Sequence, residues 1–329
     1  MILCMENFVK LALKNGGAIK PLLVDSKDLC GPSLTNPTII NINGKIIVNI
    51  RNVNYTLYHS ELSKFEHMWG PLSYIHPEND MHLRTVNYIA ELDDDLNMKY
   101  YTKVDTSLFD TYQPQWDFVG LEDARLVLWM GQLFLIGVRR DLDTIGTGRM
   151  ELSRIELVNK TAKETFRYRI PGPPPDNEYC MKNCTPIEDQ PFHLLKWTNP
   201  TSIMEFNPNG SDSKVYEMNE YTPGFNDMRG GSQVIKYKGG YLTLIHETQL
   251  YNSEQGRKDA TYRHRFVTWD KDFKNQKFSP LFSFMNMKIE FSCGMCIHNE
   301  DFLITFGAQD NAAYVLKIPQ TVVDDFIGL

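Results

Sequence analysis

The fold of this chain is decided by one pattern, first met in Asn36-Pro-Thr-Ile-Ile-Asn-Ile-Asn-Gly44-Lys-Ile-Ile-Val-Asn-Ile-Arg51. Two apolar stretches flank the dipeptide Asn43-Gly44, and Asn-Gly in this setting is a strong signal for a two-residue hairpin turn. The stretch therefore predicts an antiparallel hairpin that opens on a polar residue, Asn36, and ends on Arg51.

The same unit recurs along the chain as a polar or small opening, an apolar strand, a short turn and a second apolar strand. Its further copies lie at Glu122–Arg139, Lys182–Trp197, Gly231–Glu247 and Gly294–Gly307. Five such units predict an all-β fold, a five-bladed β-propeller, in one domain over residues 1–329. A two-sheet sandwich competes, but it usually has fewer strands and no repeated opening. A short helix is predicted at Glu6–Asn15, before Gly16-Gly17, packing on the outside of the propeller.

The composition argues against nucleic acid and membranes as partners. The 34 Lys and Arg against 41 Asp and Glu give a net charge of −7, whereas a nucleic-acid surface normally has a basic excess. No apolar run approaches the roughly 20 residues of a membrane span, and Glu6 interrupts the N-terminus before a signal peptide could form. We therefore expect a cytoplasmic protein with no membrane partner.

Four of the six cysteines could together offer thiolates to zinc: Cys180, Cys184, Cys293 and Cys296. Cys293 and Cys296 lead into a predicted strand, however, where their side chains would point to opposite faces. Inert buried thiols are the favoured interpretation, and we predict no metal site.

The openings of the five units are unusually polar, and the first strand of each propeller blade lines the central channel. We therefore expect the openings to meet at one end of that channel and to form the candidate active site. They are Asn36, Glu122-Asp123-Ala-Arg125, Lys182-Asn183, Arg229-Gly-Gly-Ser232 and Glu290.

At these residues the chain resembles glycoside hydrolase family 130, the β-mannoside phosphorylases and hydrolases, and the related glycosyltransferase family 108. The similar motifs run in the family's order between about residues 36 and 318. Ala124 stands where the family motif has Pro, and Cys184 where it has Trp. The motifs are Asn36-Pro37 with Arg51, Gly120-Leu-Glu-Asp-Ala-Arg125, Lys182-Asn183 with Pro186, Arg229-Gly-Gly-Ser232 with His246, and Phe306-Gly-Ala-Gln-Asp310.

The resemblance implies a five-bladed propeller that carries out inverting glycosyl transfer, with Asp123 as general acid relaying its proton through a sugar hydroxyl. Substrate-binding roles are expected for Asn36, Arg51, Glu122, Arg125 and Asp310. A cationic pocket for phosphate, a sugar phosphate or a nucleotide sugar is expected at Lys182, Arg229, His246 and Arg265. The partner would be an oligosaccharide or sugar phosphate, with no further cofactor.

Burial beside Glu122 should raise the pKa of Asp123, while Arg125 opposes that shift, so the net direction stays open at this stage. Hydrolysis would instead require a carboxylate that activates water, and Glu247 and Glu290 are the candidates. A non-catalytic propeller that binds glycan or protein is the alternative from another class. Transfer to an unusual acceptor such as nucleic acid is a third hypothesis, which the net charge disfavours. The sequence leaves the oligomeric state open, a homo-oligomer included.

Overall fold

The computed structural model describes residues 5–59, 72–75, 80–225, 227–252 and 258–329. In the first part of the chain the elements are β1 (Glu6–Asn7), α1 (Phe8–Lys14), β2 (Ala18–Pro21), a 3-10 turn (Ser26–Asp28), β3 (Ser33–Ile42), β4 (Lys45–Val53), β5 (Thr56–His59), β6 (Leu72–Ile75), β7 (Leu83–Leu92), β8 (Met98–Asp105), β9 (Phe118–Val119), β10 (Glu122–Trp129), β11 (Gln132–Arg139), β12 (Arg149–Val158) and β13 (Thr161–Arg169). They are followed by β14 (Thr185–Pro186), β15 (His193–Trp197), β16 (Ser202–Phe206), β17 (Ser213–Glu217), β18 (Asp227–Gly230), β19 (Ile235–Tyr237), β20 (Gly240–Asn252), β21 (Lys258–Trp269), β22 (Lys277–Phe278), β23 (Phe282–Ser283), β24 (Glu290–His298), β25 (Asp301–Ala308), β26 (Ala312–Pro319) and α2 (Gln320–Ile327).

The strands form antiparallel meanders that follow one another along the chain. The first meander is β3-β4-β7-β8, the second β10-β11-β12-β13 and the third β14-β15-β16-β17. In the fourth, β18 and β19 pair with β20, which pairs with β21; the fifth is β24-β25-β26, completed by β2. The first and second are also joined at their outer strands, where β13 runs parallel to β8.

The predicted hairpins are confirmed, and their turns show why they form. Asn43 and Gly44 have φ angles of 51° and 85°, the left-handed values that a two-residue turn requires and that Asn and Gly tolerate best. Met130-Gly131 and Lys238-Gly239 close the second and fourth hairpins in the same conformation. Local sequence therefore fixes these elements.

Apolar side chains fill the spaces between successive meanders. One cluster joins Ile47 of the first meander to Leu126 of the second, and comparable clusters join second to third, third to fourth and fourth to fifth. A further cluster joins Val48 of the first meander to Leu303 of the fifth, which returns the packing to its start. This arrangement is a β-propeller-like fold, as the sequence predicts.

Helices α1 and α2 both pack on β26 of the fifth meander. The predicted N-terminal helix is present as α1, and its Phe8 is fully buried among aromatic rings of the fourth meander and the segment after it. The C-terminal helix α2 was not predicted, because its eight residues include two adjacent β-branched valines, which lower helix propensity. Within the described ranges no helix is long and apolar enough to cross a membrane.

The two cysteine pairs lie in different parts of the core. Cys184 packs between the second and third meanders, whereas Cys296 packs between the fifth and first. Burial raises the pKa of the Cys184 thiol to about 12, so it carries no thiolate at neutral pH. This placement favours the interpretation of these residues as packing thiols.

Candidate active site

The innermost strands of the first, second and fifth meanders are irregular at the same end. Their pairing registers shift between Thr35 and Thr38, between Glu122 and Arg125, and between Phe291 and Gly294. Such bulges re-aim side chains and are common beside active sites. Here they turn Asn36 and Asp123 towards each other at the predicted end of the channel.

The site is centred on a group of five side chains that we call the carboxylate cluster: Asn36, Arg51, Glu122, Asp123 and Asp310. The Asn36 amide Nδ2 donates to Asp123 Oδ1 at 2.8 Å and lies 3.4 Å from Asp310 Oδ1. Arg51 donates from Nη1 to Asp123 Oδ1 at 2.7 Å and from Nη2 to Glu122 Oε2 at 3.2 Å. The structure thus brings together residues from the first, second and fifth meanders, as the sequence suggests.

Arg51 is fixed from four sides. Besides the two carboxylates, it donates to Thr85 Oγ1 at 3.1 Å and to the Tyr55 hydroxyl at 2.8 Å. Its side chain is only 4% exposed, against 17% for that of Asp123. Arg51 therefore orients the carboxylates, while Asp123 remains reachable from outside.

The three carboxyl groups differ in their affinity for protons. Burial would raise the pKa of Asp123, but the Arg51 guanidinium and the Asn36 amide outweigh it and hold that pKa below its usual value. Burial dominates at Glu122 and Asp310, whose pKa values are raised in spite of Arg51. Desolvation therefore raises the pKa values of Glu122 and Asp310, whereas the pKa of Asp123 is lowered.

The Arg125 side chain binds backbone carbonyl groups. Its guanidinium donates to the backbone carbonyls of Gly231 at 2.8 Å, Asp123 at 2.8 Å and Gly230 at 3.3 Å, and the residue is 1% exposed. With its donors directed at main chain, Arg125 ties the second meander to the fourth behind the cluster. These contacts support the site from behind, and the substrate-binding role expected for Arg125 stays a prediction.

Cations gather beside the carboxylate cluster. Lys182 is exposed, forms no ion pair with any residue the structure describes, and lies close enough to lower the pKa values of Glu122 and Asp123. Arg229 lies at the start of the fourth meander, where its Nη2 pairs with Asp227 Oδ2 at 2.6 Å. Of these two predicted cations, Arg229 is paired, whereas Lys182 has no ion-pair partner in the described part of the chain.

Two further residues lie close to the carboxylate cluster, at the end of the channel that we call the mouth, and the sequence did not predict them. Arg140 directly follows β11, and its charge lowers the pKa of Glu122. Its own donors bond to the Gly146 carbonyl and the Tyr179 hydroxyl among the described residues. Tyr262 on β21 lies close enough for Asp310, Asp123 and Arg229 to influence the pKa of its phenol. The adjacent Arg139-Arg140 pair in the sequence was a weak indication of a cationic role for Arg140. Nothing in the sequence indicated Tyr262.

His246 and Arg265 do not form the expected cationic pocket. Burial lowers the pKa of His246 far below its usual value, so its imidazole is neutral, and its Nδ1 lacks a hydrogen-bond partner in the described chain. Arg265 is bound by the Glu247 carboxylate and by the Ser279 carbonyl, the latter at 2.6 Å. In this structure His246 is therefore uncharged and Arg265 is already paired, and the phosphate-binding roles expected for them stay predictions.

The two carboxylates considered as water-activating bases are also engaged. Glu290 is fully buried and accepts from the backbone N–H groups of Phe284, Met285 and Met287 at 2.6–3.0 Å. Glu247 is paired with Arg265. Neither carboxylate is available to activate water in this structure.

A second polar space lies between the first and second meanders. A cavity of about 360 Å³ separates the outer strands of the first and second meanders. On its wall Arg139 donates to Glu151 at 2.7 Å and lies 3.4 Å from Asp141, and all three are buried. Arg139 therefore belongs to an internal ionic network and not to the anion side of the mouth.

No family model and no curated protein sequence matches the chain. Solved structures do match it over nearly its whole length. One of them has 13% identity and a TM-score of 0.61, and the match covers 93% of this chain and 94% of the other. Its description states that the glycoside hydrolase family 130 of mannoside phosphorylases contains glycoside hydrolases that target β-1,2-mannosidic linkages in Candida mannan.

Two further structures carry more specific names. The β-1,2-mannobiose phosphorylase of Listeria innocua, in complex with β-1,2-mannobiose, has 12% identity, a TM-score of 0.55, and coverage of 94% and 96%. A mannose phosphorylase of Leishmania mexicana, in complex with phosphate ion, has 12% identity, a TM-score of 0.52, and coverage of 95% and 92%. The chain therefore shares its fold with the mannoside phosphorylases and hydrolases of glycoside hydrolase family 130.

Proposed function

We propose that this protein is a carbohydrate-active enzyme that makes or cleaves β-mannosidic bonds by inverting glycosyl transfer. The observation that carries the proposal is the carboxylate cluster itself, where Asn36, Asp123 and Asp310 from three meanders share hydrogen bonds at a reachable end of the channel. Convergent carboxyl and amide groups suit the hydroxyls of a sugar and proton transfer at a glycosidic bond.

The charges beside the cluster favour a phosphate-bearing second substrate. Lys182 and Arg140 lack carboxylate partners among the described residues, and Arg229 stands on the fourth meander nearby. Cationic side chains at the edge of a carboxylate site fit inorganic phosphate, a sugar phosphate or the diphosphate of a nucleotide sugar. The engagement of Glu247 and Glu290 speaks against water as the acceptor.

We assign the roles as follows. Asp123, Asn36 and Asp310 contact the reacting sugar, Arg51 orients Asp123 and Glu122, and Lys182, Arg140 and Arg229 bind the anion. Neutral His246 lies beside them as a hydrogen-bonding group. The successive meanders and the cluster joining the last to the first support five blades in one domain.

The function is tested by offering the protein phosphate with β-mannobiose, mannose 1-phosphate with mannose, and GDP-mannose with mannose. Phosphate release or uptake and product length are followed. We expect turnover with one of these pairs. No turnover with any pair, together with measurable mannoside binding, would identify a glycan-binding propeller instead.

Asp123→Asn is the matching variant. It keeps the shape of the side chain and one acceptor for Arg51, so the fold should survive, but it removes the charge at the centre of the cluster. We expect turnover to fall by at least about 10²-fold. Asp301→Asn is the control, because Asp301 begins β25 at the end away from the site. Wild-type activity in Asp123→Asn would end the proposal.

A further inference from the structure

Two buried asparagines of the first meander form a chain of hydrogen bonds behind the carboxylate cluster. The amide nitrogen of Asn49, on β4, donates to Asn87 Oδ1 at 3.0 Å and to the Ala124 carbonyl at 3.3 Å. Asn87, on β7, donates in turn to the Leu121 carbonyl at 3.0 Å. We call this pair the asparagine clamp, because it holds the backbone of the second meander on both sides of Glu122-Asp123.

The clamped segment needs support because its own strand pairing is interrupted. The register of β10 against β11 shifts between Glu122 and Arg125, which places Asp123 in a bulge with a φ of 49°. Side chains rarely adopt that angle, and such strain persists only where the surroundings impose it. Arg125 holds the Asp123 carbonyl, and the clamp holds the carbonyls that flank it. The position of the Asp123 side chain therefore depends on contacts from outside its strand pair.

The strands that carry the clamp also carry the groups that orient the carboxylates. Arg51 lies two residues after Asn49 on β4. Thr85 lies two residues before Asn87 on β7, and alternate residues of a strand share one face. Arg51 binds both side chains of Glu122-Asp123 and donates to Thr85 Oγ1 at 3.1 Å. The first meander thus fixes this segment twice, by its backbone through the asparagines and by its side chains through the arginine.

Packing alone does not account for the two amides. Asn49 Oδ1 has no hydrogen-bond partner in the described chain, although Asn49 is fully buried. A buried acceptor without a partner lowers stability, and an apolar pair would fill the same space without it. An apolar pair would, however, leave the Leu121 and Ala124 carbonyls unheld. The amides are explained by the backbone that they bind.

We propose that Asn49 and Asn87 are positioning residues: they fix the Glu122-Asp123 segment so that the Asp123 carboxylate meets Arg51 and the reacting sugar in one geometry. The inference rests on the proposed function. Neither asparagine touches the substrate, and both act through the backbone of the acidic segment. A misplacement of reacting groups by about 1 Å can cost about 10²-fold in rate, so the effect belongs to turnover more than to sugar binding.

The placement of Asp123 can be measured without turnover. In Asn87→Ala the fold should survive, because Asn87 lines the cavity of about 360 Å³ between the two meanders and water can reach the freed Leu121 carbonyl. Asn49→Ala is the second variant, which breaks the clamp at its other end. Protein labelled with ¹³C at the aspartate carboxyl is titrated by NMR, and the signal is assigned with Asp123→Asn. We expect a higher Asp123 pKa in both variants, because the carboxylate moves away from the Arg51 guanidinium.

Kinetics test the consequence for the reaction. We expect about a 10²-fold lower kcat in each variant and a KM for mannobiose close to that of the wild type, since a positioning residue acts in the transition state. The double variant Asn49→Ala/Asn87→Ala should lose little more than either single variant, because the two amides act as one chain.

Asn41→Ala is the matched control. The Asn41 amide also donates to a backbone carbonyl of another meander, that of Ile297 at 2.9 Å, but it lies at the end of β3 that leads into the Asn43-Gly44 turn. This variant loses a contact of the same kind away from Asp123. We expect it to keep the wild-type kcat and the wild-type titration of Asp123.

The two proposals fail separately. An Asp123 titration that is unchanged in both Asn49→Ala and Asn87→Ala overturns the positioning role, whether or not the protein is active. A wild-type protein that is inactive toward every mannose donor contradicts the proposed function, and the titration alone then decides whether the clamp places Asp123. An active protein whose two variants lose stability but keep kcat retains the function and reduces the clamp to a structural contact.

Discussion

Four residues of the site have backbone angles that side chains rarely adopt. Asn36, Asp123, Asn183 and Asp310 have φ between 41° and 60°, a region that costs about 1–2 kcal/mol for most residues and least for Asn and Asp. Asn36 and Asp123 lie at the bulges of β3 and β10, whereas Asn183 and Asp310 lie outside the strands. Asn and Asp at these positions therefore suit the backbone conformation as well as the side-chain chemistry of the site.

Buried histidines give the protein a predictable weakness in acid. Burial lowers the pKa of His264 to about 3, against about 6.5 in an unfolded chain. As the pH falls from 6.5 towards 3, the unfolded state therefore gains a proton that the folded state does not, and stability is lost across that window. Above pH 6.5 this histidine has no effect on the pH dependence.

Replacing this ring tests the effect. In His264→Phe the new ring would pack on Phe282 and Phe284, which already contact the imidazole. We expect the difference in unfolding free energy between pH 7.5 and pH 5 to shrink by about 2 kcal/mol. Urea unfolding of variant and wild type at both pH values measures it. An unchanged difference would mean that His264 titrates normally in the folded protein.

At the scale of elements, β25 of the fifth meander passes unusually close to β3 of the first. A methyl group on Gly307 would lie 2.3 Å from Asn36 Oδ1 and 2.6 Å from its backbone nitrogen. Both atoms belong to Asn36, which is hydrogen-bonded within the carboxylate cluster, so neither can move without disturbing the cluster. Glycine at this position is required by the approach of the two strands.

Gly307→Ala should therefore displace Asn36 from Asp123 and Asp310. We expect about a 10²-fold loss of turnover and about 1–3 kcal/mol lower stability from overpacking. Gly44→Ala is the matched control at the far end of β3, with open space around it and a φ of 85°. It should cost about 1 kcal/mol and leave turnover unchanged. Equal losses of activity in the two variants would refute the local explanation.

For the whole molecule, helix α1 and strand β2 near the N-terminus pack against the last two meanders. Strand β2 completes the fifth meander by pairing with β26, and Phe8 of α1 stacks on Phe282 at 4.3 Å, with Phe266 and Phe326 beside it. These contacts join residues 8–21 to the fourth and fifth meanders. The segment is part of the core and not an appendage.

Phe8→Ala should lower the free energy of unfolding by about 3–5 kcal/mol, because it empties a fully buried aromatic site. Leu13→Ala on the same helix is the control, since Leu13 is 50% exposed and should cost little. Urea unfolding of both variants measures the difference. Similar small losses in the two would show that α1 is dispensable for the core.

The sequence by itself determined the hairpins and the positions of their polar openings, because turn residues and alternating apolar residues act over a few neighbours. Asn43-Gly44 closes its turn wherever the hairpin packs, and the repeated units predict that Asn36 and Asp123 meet at one end, whereas Asp310 was expected only from the family resemblance. Only the tertiary structure decided which charges are free. Arg125 and Arg265 are bound by partners more than ten residues away in the chain, and a guanidinium 72 residues away stabilises the ionised form of Asp123. A pKa depends on burial and on charges in space, and neither can be read from neighbours along a chain.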